Sequence, residues 1–112
     1  MRLFCRVTNN LIESNENLFA AHIVESDWCF AVSISGIGNI PADSCRKRIA
    51  FEAGAVNIFS GRASVDEDGY YDRETFTPDT FLFSLTREDA DRYLHPLVGR
   101  KPHLQLVFQR AA

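Results

Sequence analysis

Residues 64–79 hold Asp66, Glu67, Asp68, Asp72, Glu74 and Asp79 against one cation, Arg73. Six carboxylates less one cation leave a local charge of −5, beyond the −3 of the whole chain. Carboxylates this close can ligate a hard cation or present a field to a basic partner. Their spacing fits part of a calcium loop, with Asp66, Asp68, Gly69 and Asp72 at the third, fifth, sixth and ninth positions. Ser64 would then stand first, a weak ligand. Thr75 would stand twelfth, where a bidentate Glu is required, and no helix leads into the segment. No metal ligand is therefore assigned. Tyr70, Tyr71 and Phe76 are interleaved with the acids. Tyrosine is a favoured interface anchor because its ring buries apolar area while its hydroxyl keeps a hydrogen bond. The candidate binding residues are Asp66, Asp68, Tyr70, Tyr71 and Asp72, and the partner they suit is a basic protein.

The other residues that carry chemistry form no complete motif. Gly36-Ile37-Gly38 precedes an expected helix, where free amides favour an anion. Pro41 replaces the third glycine of a dinucleotide fingerprint, and no Gly-Lys-Ser/Thr follows. Cys45 is followed by Arg46, Lys47 and Arg48, which would depress a thiol pKa. Its place in the series Cys45, Ile49, Ala53 argues instead for a buried structural residue, and Phe51 occupies the place of the arginine in a Cys-x5-Arg loop. His22, His95 and His103 lack metal-ligand spacing, and no Gly-x-Ser-x-Gly elbow occurs. Glu88, Asp89 and Asp91 read as helix-start charges. No catalytic residue and no cofactor are expected.

A chain of 112 residues with 46% hydrophobic and 24% charged residues has the size and composition of one globular domain. Nine Phe, three Tyr and one Trp supply a core. The net charge argues against nucleic-acid binding, and Arg46–Arg48, the only run of three cations, reads as a solvated face. Cys5, Cys29 and Cys45 are odd in number with no Cys-x-x-Cys pair, as suits free thiols in a reducing compartment. The N-terminus has no long apolar run, so no signal peptide is expected. No segment approaches 18 apolar residues, so no membrane span is expected either. Cytoplasmic residence follows from these expectations.

These residues need elements to position them. Leu3, Cys5 and Val7 alternate as a first strand, and residues 9–17 form a polar loop around Leu11 and Ile12. Residues 18–25 and 28–34 make a hairpin about Ser26-Asp27. Both strands are apolar on two faces, as if covered on both sides or paired in a homodimer. Helical spacing of Cys45, Ile49, Ala53 and Val56, with Gly54 as a cap, predicts a helix over 42–53; the alternation of Ile49, Phe51 and Ala53 leaves a strand as the competitor. Strands follow at 56–60 and around Phe81, Phe83 and Leu85, with a turn at Asp68-Gly69 between them. Thr86 and Asp89 begin a second helix striped by Ala90, Tyr93, Leu94 and Leu97. Leu104, Leu106 and Phe108 make a last strand.

The expected fold is a single α+β domain over 1–112, with an antiparallel or mixed sheet of five to seven strands packed with two helices. The expected function is that of a small non-catalytic binding protein that neutralises a basic partner through residues 66–72. The alternative is a small-molecule-binding protein or small enzyme, its pocket between sheet and helices near His22, Trp28 and Tyr93.

Overall fold

Leu18–Ile23 (β1) and Cys29–Ser33 (β2) form the expected antiparallel hairpin, with Ala20 opposite Ala31 and His22 opposite Cys29. β1 then pairs on its other edge with Val56–Arg62 (β3), which pairs with Thr77–Leu85 (β4). The computed structural model describes residues 2–26 and 28–94. Among them there is one four-stranded antiparallel sheet in the order β2-β1-β3-β4. Ile34–Ile37 (α1) is a single helical turn, and Arg87–Tyr93 (α2) is the one longer helix among the described residues. The expectation of five to seven strands and two helices is thus corrected to four strands and one helix with short turns. The expected strand over 104–108, together with His95, Leu97 and His103, lies outside the described residues.

Directly opposed residues in antiparallel strands share a face. One face therefore carries Ala21, Ile23, Phe30, Val32, Val56, Ile58, Phe83 and Leu85. Onto the core pack Ala90 and Leu94 from the helical end and Leu3, Cys5, Val7 and Ile12 from the N-terminal segment, all buried. That segment shows the alternation its sequence implies, with Leu3, Cys5 and Val7 inside and Phe4 half exposed. It is not a strand. It folds back on itself through Ile12 N to Leu3 O and Cys5 N to Asn10 O, with only isolated bridges to its neighbours. Arg6 N donates to Ala31 O and Ser33 N donates to Cys5 Sγ, so the segment also shields the outer edge of β2.

The largest correction concerns residues 42–53. Ala42–Ser44 is a 3-10 turn, and the chain beyond it is irregular, neither the expected helix nor the competing strand, with one isolated bridge from Arg46 to Ser84. Arg46 exchanges both backbone hydrogen bonds with Ser84, at 2.8 Å each. Ala50 N donates to Asn57 Oδ1 at 2.7 Å and to Ser84 Oγ at 2.9 Å, and Asn57 Nδ2 donates to Ala50 O at 3.2 Å. Ser84 Oγ also meets Arg48 O and Asn57 Oδ1. These two buried side chains take the backbone groups that an α-helix would have paired internally. Ile49, which the helix reading places on a buried stripe, is 45% exposed, and Phe51, aligned with Ile49 and Ala53 in the competing strand reading, is 83% exposed. Gly54 caps no helix; at φ +84° it closes the turn that leads into β3, beside the Arg87 side chain.

Phe81 and Phe83 likewise depart from simple alternation. Phe83 pairs with Ile58 and Phe81 with Phe59, because β4 carries an extra residue between them. This bulge sets the Phe81 ring edge-on to Phe59, 5.7 Å between centroids. The expected start of the last helix holds. Thr86 Oγ1 accepts from Asp89 N at 3.1 Å. Thr86→Ala should therefore cost about 1 kcal/mol in denaturant melts, while Glu88→Gln, which disturbs an exposed ion pair with Arg92, should cost well under half of that.

Candidate functional site

The acidic segment is the connection between β3 and β4, and it folds as a small hairpin of its own. Val65 bridges Tyr71, and Asp66 N donates to Tyr70 O at 2.7 Å. Gly69, at φ +87°, supplies the left-handed turn expected of Asp68-Gly69. The Asp66 carboxylate turns back into the loop and accepts from Asp68 N at 2.9 Å and Tyr70 N at 3.0 Å. Asp72 caps the 3-10 turn Arg73–Thr75 by accepting from Glu74 N. Ser64 and Thr75, the would-be first and twelfth calcium positions, hydrogen-bond to each other at 2.9 Å. Among the described residues no three His, Cys, Asp or Glu side chains converge as a metal site requires.

Two remote elements hold this hairpin in place. Arg2 Nη2 donates to Asp68 Oδ2 at 2.6 Å, its Nε lies 3.8 Å from Asp66 Oδ2, and its guanidinium sits 4.3 Å over the Tyr70 ring. On the other side, the loop after the N-terminal segment grips the tip. Ser14 N donates to Gly69 O, Glu13 bridges Tyr70, and the Tyr71 hydroxyl lies within hydrogen-bonding distance of both Ser14 O (3.2 Å) and Glu16 O (2.9 Å). Tyr71 also packs against the core.

The structure thus brings Asp66, Asp68, Tyr70, Tyr71 and Asp72 onto one hairpin but divides their tasks. Asp66, Tyr71 and Asp72 build it. Asp68, with 68% of its side chain exposed, faces outward beside the half-buried Tyr70. Exposed carboxylates also stand on Glu13, which bridges Tyr70, on Glu67 and Glu74 within the connection, and on Asp79 near the start of β4, so the acidic composition extends beyond residues 66–72. Arg2, Ser14 and Glu16 were invisible to local spacing because they lie more than fifty residues from their partners.

Asp66 is held below the ordinary carboxylate range, first by the Tyr70 amide; desolvation opposes this, and the Asp68 amide and Arg2 add smaller lowering effects. A carboxylate with a depressed folded value stabilises the fold above its unfolded value and loses that contribution as pH falls through the folded one. The hairpin tip should therefore loosen below about pH 4 while the sheet stays formed. Amide protection factors at Asp68 and Tyr70 should fall ahead of those in β1 and β3. Parallel loss in all three would contradict this.

The alternative pocket residues do not converge. Trp28 stacks on Phe30, centroids 5.7 Å apart, and packs against the core. His22 opposes Asn57 and Cys29 on the other face of the sheet. The Tyr93 hydroxyl is lowered in pKa, first by a hydrogen bond with Ser44 and then by one with Arg92. None of the three lines the open polar groove bounded by Arg46, Glu52, Thr86, Arg87 and Arg92.

All three cysteines are unpaired. Burial pushes Cys29 up to about 11 and also raises Cys45, which follows a 3-10 turn rather than starting a helix. For Cys5, burial raises the thiol, but hydrogen bonds from Ser33 and Thr8 outweigh it and the net shift is downward. Among the described residues no helix is long and apolar enough to cross a membrane. No protein-family model matches the chain, and neither a curated protein nor a solved structure matches it.

Proposed function

We propose that this is a small non-catalytic interaction protein that binds a basic protein partner on the acidic hairpin between β3 and β4. The observation that carries the reading is the preorganisation of that hairpin. Arg2 and the loop at 13–16 fix its backbone, while Asp68, Glu67, Glu74 and Asp79 stay exposed. A charged surface that is already ordered loses little entropy when a partner binds, and its field speeds encounter. Tyr70, half buried beneath Arg2, supplies the apolar contact at the centre. A cytoplasmic setting is part of the proposal, supported by three unpaired cysteines.

The test uses an arginine-rich peptide as a basic probe. Titrated into the isotope-labelled chain, it should shift amide resonances of residues 64–79 and 13–16 first, with affinity falling as salt rises. Shifts gathered instead on the groove at Arg46 and Thr86, or spread over every exposed carboxylate, would overturn the reading.

A further inference from the structure

The structure carries a second charged surface, of opposite sign, at the far end of the same pair of strands. Arg46, Lys47 and Arg48 are all exposed, and none of them makes an ion pair within the described residues. Beside them stand Ile49 and Phe51, the latter 83% exposed. An exposed phenylalanine on a floppy loop would mean little. This one lies on a segment whose backbone is clamped by Asn57 and Ser84, so the ring is displayed rather than loosely tethered. The acidic hairpin has a matching composition: Val65 is 55% exposed and Tyr70 half buried, on the same hairpin as Asp66, Glu67 and Asp68.

The two surfaces cannot neutralise each other within one chain. Arg46 is joined to β4 at Ser84, opposite Asn57, whereas the hairpin leaves β3 after Arg62. The five-residue rise from Asn57 to Arg62 alone spans about 17 Å, and a Debye length at physiological salt is about 8 Å. Two copies laid antiparallel, however, set each basic loop against the other's acidic hairpin, and a two-fold arrangement satisfies both contacts at once.

We infer that the loop at 46–51 is a docking surface for the acidic hairpin of a second copy of this chain, with Phe51 as its apolar anchor. The acidic half of this contact is the surface proposed above, so the inference rests on that reading. The contact is small, and its affinity accordingly weak and salt-sensitive.

Sedimentation equilibrium of the full chain over a wide concentration range, at low and at high salt, reads this out. The wild type should dimerise at low salt and dissociate at high salt. Reversing the loop (R46E, K47E, R48E) or the hairpin (E67K, E74K, D79K) should each abolish the dimer. Mixing the two reversed variants should restore a heterodimer, because each then carries the complement of both faces of the other. Phe51→Ser, which removes no buried contact, should weaken the dimer at least tenfold with an unchanged melt, and it serves even if a reversed variant fails to fold. A wild type that stays monomeric at low salt, or a Phe51→Ser dimer as tight as the wild type, overturns the inference. If the arginine-rich probe still maps to the hairpin in that monomer, the docking reading stands without it; if the probe maps elsewhere, both fall.

Discussion

Tyr71→Ala should destabilise the protein by about 3 kcal/mol, the low end for removing a packed aromatic. The ring packs against the core and the hydroxyl reaches Ser14 O and Glu16 O, so the substitution removes packing and tethering together. Tyr71→Phe, which keeps the ring, should cost about 1 kcal/mol. The difference between the two separates packing from tethering. Because Tyr71 holds the hairpin to the N-terminal loop, both variants should also loosen residues 64–72 before the sheet melts, read as reduced amide protection there. A Tyr71→Ala variant as stable as the wild type would mean that the hairpin is not anchored through this ring, and the preorganised surface would lose its main support.

Asn57→Ala should be comparably severe, at about 3 kcal/mol. Asn57 is buried, accepts from Ala50 N, donates to Ala50 O and meets Ser84 Oγ. Truncation strands the Ala50 carbonyl and deprives Ser84 of a partner, and each buried group left unsatisfied costs about 1–3 kcal/mol. Asn57→Asp should fare no better, since a carboxylate cannot donate to Ala50 O and would be buried as a charge. The loop at 46–53 should detach in either variant, which limited proteolysis would report as new cleavage after Arg46, Lys47 or Arg48. Resistance equal to the wild type would show that the loop is held by something other than this network.

That same network explains where the sequence was legible and where it was not. The β1–β2 hairpin, the turn at Asp68-Gly69 and the Thr86 cap depend on partners a few residues away, and the chain announces them. Residues 42–53 carry helical spacing, but their backbone is captured by Asn57 and Ser84, and Ser84 lies 34 residues beyond Ala50. No local pattern encodes that capture. Phe81, Phe83 and Leu85 alternate in sequence, yet a bulge changes the pairing between the first two. Leu3, Cys5 and Val7 alternate in burial as read, although the segment pairs by isolated bridges rather than as a strand. At the candidate site, composition identified the acidic hairpin and its tyrosines. It could not reveal that Arg2 folds over Tyr70 from the other end of the chain, nor that Tyr71 faces inward while Asp68 faces out.

The most direct test of the docking surface is a comparison at equal charge. Glu67→Gln, Glu74→Gln and Asp79→Asn together neutralise three exposed carboxylates around the hairpin; Glu25→Gln, Asp43→Asn and Glu52→Gln neutralise three exposed ones elsewhere. Both sets raise the net charge equally from −3. The association rate of the arginine-rich probe, measured by surface plasmon resonance at low salt, should fall about tenfold for the hairpin set and far less for the other. Equal losses for the two sets would show that only net charge matters, and would contradict a dedicated acidic surface on this protein.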